Sequence, residues 1–309
     1  MAVLLLRVVV FIFGLLRGFF SLFFVTLKSL SVMVMNSSIN VNGRLLGLDT
    51  PVVMGILNVT ADSFFEGSRV AAGEELVARA RRMLADGAGI IDIGACSTRP
   101  SGEPVSEEEE LKRLHAALEL LDEHLPSAVV SVDTFRARVA EECVVNHNVA
   151  IVNDVSGFEW DAAMLDTVAR LNVPYVLTHS VGWAGTQPAY VDFLPEVLAA
   201  LAKKVWQLHR LGVKDVIVDP GFGFGKSVEQ NYEMLASLGV FRELEAPLLV
   251  GLSRKSMITK LVGIEAGDAL PETSALNMVA LQGGANILRV HDVREAVNVV
   301  KMFGALRGF

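Results

Sequence analysis

After Thr50 one pattern recurs eight times: a short apolar, β-branched run, then a polar or glycine-rich stretch, then a longer amphipathic segment. Alternation of this kind places consecutive strands parallel in one sheet with helices as the connections. The strand runs fall at 52–57, 90–93, 129–132, 151–152, 175–177, 216–218, 248–250 and 287–290. Helical periodicity follows at 74–85, 107–125, 137–146, 162–171, 194–211, 228–238, 273–281 and 293–303. Eight units in roughly 260 residues fit a closed (β/α)8 TIM barrel better than an open doubly wound sheet. Several boundaries have a local cause. Ser106 opens a helix in SEEEEL, with Glu109 placed to return a capping-box bond and the other acids facing the positive end of the helix dipole. Gly87 and Gly212 stand where helices should stop before the next strand.

Composition matters for what precedes this region. The 309 residues are 52% hydrophobic and 20% charged, with a mean hydropathy of +0.45, which excludes a disordered chain. The apolar excess sits in residues 1–34, which hold six of the sixteen phenylalanines. Three of the 27 cations (Arg7, Arg17, Lys28) and none of the 35 acids lie there, so residues 35–309 carry a net −11. Three readings compete for this leader. A membrane span over 8–27 meets Arg17 at its centre, at about 2.5–3.5 kcal/mol on insertion scales, which leaves a weak anchor. A cleaved targeting peptide lacks a compact apolar core and a small-x-small cleavage site. An upstream mis-start makes Met33 or Met35 the true beginning, and 35–309 the single catalytic domain. Contact with a membrane is expected only if the leader is real. A formal charge of −8 argues against a nucleic-acid surface, and two cysteines, Cys96 and Cys143, point to a reducing cytoplasm.

In a parallel barrel, function gathers where the strands end. Those positions hold Asn58, Asp92, Asp133, Asn153 with Asp154, His179, Asp219, the run Ser253-Arg254-Lys255, and Arg289 with His291. One such residue alone would be a loop cap; all eight strands delivering one is a site. Asp133, Asn153 and Asp219 suit the donor edge of a flat, nitrogen-rich heterocycle, because a carboxylate only accepts hydrogen bonds while an amide does both. Lys255, Arg289 and His291 suit an anionic group at the same mouth.

The segment DPGFGFGKS (219–227) resembles a phosphate-binding loop, but Pro220 occupies the place of the first Walker glycine and the spacing is wrong for a dinucleotide fingerprint. It reads either as a flexible turn into the following helix or as a loop that brings Phe224 and Lys226 to a ligand. The histidines lack zinc-ligand spacing. A Mg²⁺ shared between Asn58 and substrate phosphates is the more natural arrangement.

Seven ordered blocks carry a resemblance: MGILNVTADSF (54–64), GAGIIDIGACSTRP (87–100), SVDT (131–134), VNDVSG (152–157), VDPGFGFGKSVEQN (218–231), GLSRKS (251–256) and RVHD (289–292). Together they resemble the dihydropteroate synthase family. The resemblance implies a TIM barrel that joins 6-hydroxymethyl-7,8-dihydropterin diphosphate to 4-aminobenzoate through a dissociative step, and that serves as a sulfonamide target. It implies that Asp133, Asn153, Asp219 and Lys255 hold the pterin, that Asp92 is among the substrate-binding residues, and that Asn58, Arg289 and His291 handle the diphosphate and its Mg²⁺. It implies that Phe64 lies in a closing first loop, that Thr98, Arg99, Phe224 and Ser253 surround the aminobenzoate, and that the chain forms a homodimer.

The chain departs from the family pattern in its first loop (ADSFFEGS), at Cys96 and Ser101, and in THSVG, where a methionine-rich M-H-M is usual and Thr178 and Ser180 stand near the ring pocket. Cys96 reads as a small filler rather than a reactive thiol, with Arg99 its only basic neighbour. Two alternatives follow: a pterin-dependent methyltransferase of similar barrel, and a catalytically silent paralogue that binds pterin.

Overall fold

The computed structural model describes residues 38–59, 69–96, 105–181 and 190–308, and Ser37–Phe309 forms one compact unit. A hairpin of β1 (Ser38–Val41) and β2 (Arg44–Gly47) comes first. The barrel strands follow as β3 (Val52–Asn58), β4 (Ile90–Gly94), β5 (Val130–Asp133), β6 (Val149–Asp154), β7 (Tyr175–Thr178), β8 (Val216–Asp219), β9 (Leu249–Val250) and β10 (Ile287–Val290). They lie parallel in the order β8-β7-β6-β5-β4-β3-β10-β9. A parallel bridge between Val218 and Leu248, with the Val218 amide donating to Pro247 at 2.8 Å, joins the two ends. The fold is a (β/α)8 barrel.

The helices are α1 (Arg69–Ala85), α2 (Glu107–His124), α3 (Ala137–Asn146), α4 (Ala163–Leu171), α5 (Phe193–Arg210), α6 (Val228–Ala236), α7 (Ser256–Val262), α8 (Leu270–Gly283) and α9 (Val293–Arg307). All eight expected strands and eight expected helices coincide with observed ones. The short helix α7 and the hairpin were not expected. The hairpin does have a sequence signal: Asn42-Gly43, with φ of 50° and 81°, supplies the two left-handed residues of a type I′ turn between strands whose side chains alternate.

Period-two alternation divides the apolar side chains into two cores. Val53, Leu57, Ile91, Ile93, Val132, Leu177 and Leu288 meet the helices, whereas Met54, Ile90, Val129, Ile217, Leu249 and Ile287 fill the barrel interior. Ile39, Val41 and Leu48 join the interior group, so the hairpin covers the end of the barrel from which the strands begin. Each such buried side chain contributes about 1.5–3 kcal/mol. The end where the strands finish is left to polar groups.

At the start of α2 the Glu109 amide donates to Ser106 Oγ at 3.2 Å. The return bond expected from Glu109 is not made: its carboxylate accepts from Arg113 Nε at 2.8 Å instead, a charge-assisted bond one turn along the helix. A complete capping box occurs at α6, between Ser227 and Gln230. Among the described residues no helix is long and apolar enough to cross a membrane. The leader lies outside the described residues.

Candidate active site

The inward positions at the strand ends converge. Arg289, on β10, donates from Nε to Asp92 Oδ2 at 2.7 Å and from Nη2 to Asp133 Oδ2. Asn153 Nδ2 donates to the same Asp92 oxygen at 3.0 Å. Four strands, β4, β5, β6 and β10, are thereby tied by one chain of charge-assisted bonds. Burial drives the Asp133 carboxyl up to about 7, with Arg289 opposing. Burial acts to lower Arg289, but Asp92 and Asp133 outweigh it and hold the guanidinium more firmly charged than usual. Asp92 is fully buried, and its Oδ1 has no partner among the described residues.

Across the mouth, burial raises Asp219 against the pull of Lys255, and burial lowers Lys255 to about 8 against the pull of Asp219. Asp219 Oδ1 accepts from the Gly221 amide at 2.8 Å. Lys255 donates to the Phe222 carbonyl and lies 4.4 Å from the centre of the Phe224 ring. Ser253 Oγ is within 3.0 Å of His291 Nδ1 and accepts from the His291 amide at 3.2 Å. Asn58 and His291 line a cavity of about 270 Å³ together with Arg79, Arg82 and Asp86. A flat heterocycle therefore has a carboxylate and amide wall, and an anion has a cationic one. Phe64, Thr98 and Arg99 lie outside the described residues.

Three polar residues at or beyond the strand ends serve the scaffold. Asp154 accepts from the Ser156 amide and hydroxyl, the Phe158 amide and Tyr175 Oη, each at 2.7 Å, and so shapes the loop after β6. Arg254 grips Asp292 with both Nε and Nη2, at 3.0 and 2.7 Å, locking the β9 loop to the β10 loop. Lys226 corrects an expectation. Its ammonium is buried and donates to the carbonyls of His179, Gly221 and Phe224 at 3.0, 2.8 and 3.2 Å, so it braces the loop, which is wired rather than flexible. Asn231, unremarked in the sequence, adds bonds to the Gly223 amide at 2.7 Å and the Ser227 carbonyl at 2.6 Å. Burial and Glu110 raise the Cys96 thiol, which suits a filler.

His179 gives a pH prediction. Burial, aided by Lys226 and Lys204, lowers its imidazole from 6.5 to about 3. The unfolded chain takes that proton first, so this stability is present above pH 6.5 and is lost as the pH falls towards 3. Asp133, raised to about 7, acts in the opposite sense, gaining stability as the pH falls from 7 towards 4. Comparison with His179→Gln isolates the histidine: urea unfolding at several pH values should show the variant's acid slope reduced by up to about 1.4 kcal/mol per pH unit. An unchanged slope refutes the assignment.

The sequence profile of the family described as "Pterin binding enzyme" matches residues 54–291. The dihydropteroate synthase of Bacillus subtilis is 38% identical over 257 residues, covering 82% of this chain and 88% of its own. That of Escherichia coli K12 is 37% identical over 268 residues, covering 85% and 94%. The solved Xanthomonas albilineans dihydropteroate synthase with 4-aminobenzoic acid superposes with a TM-score of 0.81 at 38% identity, over 89% of this chain and 100% of that one. The same enzyme in complex with 7,8-dihydropteroate gives 0.78 at 36% identity, over 88% of this chain and 100% of that one. With the strand-end residues already converged on one mouth, the chain belongs to the pterin-binding enzyme family, among its dihydropteroate synthases.

Proposed function

We infer that this chain joins 6-hydroxymethyl-7,8-dihydropterin diphosphate to 4-aminobenzoate, releasing diphosphate and forming 7,8-dihydropteroate in folate biosynthesis. The observation that carries the reading is the bonded chain Asn153–Asp92–Arg289–Asp133, with Asp219 and Lys255 opposite. Asp133, Asn153 and Asp219 accept from and donate to the pterin edge. The bond between the exocyclic methylene and diphosphate breaks with both electrons going to the leaving oxygen. The aniline nitrogen then gives its lone pair to the methylene carbon and loses a proton. Positive charge on the pterin develops among Asp92, Asp133 and Asp219, while Arg289 and His291 face the departing anion, each preorganised before the bond breaks. Ser253 fixes the His291 ring, and Phe224 packs beside the aminobenzoate.

The donor set fits Mg²⁺ held largely by substrate oxygens. Asn58 offers one exposed carboxamide at the end of β3, and no group of three or more histidine, cysteine or acidic side chains suited to a metal occurs among the described residues. Bound there, Mg²⁺ supplies neutralisation of the diphosphate charge. Cytoplasmic location and homodimeric assembly belong to the same reading, the first supported by two unpaired cysteines and the second by family likeness.

The test is direct. The full chain with pterin diphosphate, 4-aminobenzoate and Mg²⁺ should yield dihydropteroate and diphosphate in equal amounts. Neither product, with pterin still bound, would establish a silent pterin binder instead.

A further inference from the structure

On β7 the side chains alternate: Tyr175 and Leu177 belong to the outer core, and Val176 to the barrel interior. Thr178, the next residue, therefore faces inward. On β8, Val216 and Val218 are outer and Ile217 is interior, so Asp219 faces inward as well. Thr178 and Asp219 are direct register partners, and neighbouring parallel strands lie about 4.8 Å apart. The Thr178 hydroxyl thus stands beside the Asp219 carboxylate on the pocket side of the sheet.

Thr178 is 1% exposed, and its Oγ1 has no hydrogen-bond partner among the described residues. Valine has the same branched shape and would fill this place without a polar atom. A buried, unpaired hydroxyl costs about 1–3 kcal/mol, so its presence calls for a partner brought by the ligand. Asp219, when ionised, only accepts hydrogen bonds, whereas a hydroxyl also donates. Side by side, the two match a heterocycle edge on which N–H donors adjoin a ring acceptor, the pattern of an aminopyrimidinone.

We propose that Thr178 is a specificity-determining contact of the pterin pocket, its hydroxyl donating to a ring acceptor next to the N–H groups that Asp219 accepts. This rests on the synthase reading. The test uses Thr178→Val and Thr178→Ser in the full chain. Calorimetric binding of 6-hydroxymethylpterin, KM for each substrate and the thermal midpoint are the readouts. Thr178→Val should weaken pterin binding and raise KM for the pterin diphosphate roughly three- to tenfold, the scale of one hydrogen bond. KM for 4-aminobenzoate should not follow, and the thermal midpoint should hold or rise. Thr178→Ser should bring pterin binding back to within about twofold of the parent on the same scale.

Parent-like pterin binding by Thr178→Val overturns the proposal. So does a parallel rise in both KM values with a falling midpoint, which is the mark of a purely structural residue. A parent chain that turns over but whose valine variant is unaffected sinks this proposal alone. A parent that binds no pterin sinks the synthase reading with it.

Discussion

Arg289→Ala should lower kcat by about a hundredfold or more, the ~2.7–4 kcal/mol scale of a lost preorganised contact to developing charge. The guanidinium reaches Asp92 through Nε and Asp133 through Nη2, so its removal does two things. On the proposed synthase reading the leaving diphosphate loses a cation, and two carboxylates lose the charge that offsets their burial. Asp133 already sits near 7 with Arg289 holding it down, so without the arginine its carboxyl titrates higher still. The activity that remains should then shift its acid limb to higher pH. Arg289→Lys should recover little, because one ammonium cannot reproduce a fork spanning two carboxylates from fixed angles. Steady-state kinetics across pH, with the thermal midpoint as a folding control, checks all of this. A variant with parent kcat would remove Arg289 from the mechanism.

Asp92, Asp133, Asn153, Asp219 and Arg289 were legible in the sequence because two simple periodicities locate them. Strand alternation fixes the face, and the strand-helix repeat fixes the end of the barrel. Neither periodicity says which polar group will bond to which, since that depends on neighbours far apart in the chain. Arg289 lies 197 residues from Asp92, and Arg254 lies 38 from Asp292. The same blindness explains Lys226. In DPGFGFGKS a lysine after glycines resembles a ligand group, and only the folded loop shows three backbone carbonyls surrounding its ammonium. Glu109 failed differently: Ser106 capped the helix as expected, but a stronger partner, Arg113, lay within reach of the carboxylate that should have bonded back. The hairpin at Asn42-Gly43 carries a turn signal, but its strands of four residues each are too short for alternation alone to mark them.

The wiring of that lysine loop leads to the second large effect, at Gly221. Its φ is +77°, and a Cβ there would lie 1.9 Å from the His179 carbonyl oxygen and 2.9 Å from its carbon. These are backbone atoms of the segment that follows β7, so no side chain can swing aside. The His179 carbonyl also accepts from Lys226, the Gly221 carbonyl accepts from it too, and the Gly221 amide orients Asp219. Gly221→Ala must therefore displace the loop, breaking the lysine cluster and releasing the Asp219 carboxylate in one step. Left-handed strain and overpacking together cost on the order of 3 kcal/mol or more, a fall in thermal midpoint of about 10 °C for a domain of this size. Pterin affinity should drop at least tenfold with it, through the lost Asp219 geometry. Gly212→Ala supplies the contrast: φ there is +89°, yet nothing lies within 4 Å of the added atom. It should lose only the backbone component, about 1–2 kcal/mol, and keep pterin binding. Thermal unfolding and pterin titration of the two variants decide the matter, and equal losses at both positions would mean that steric closure around Gly221 does not organise the site.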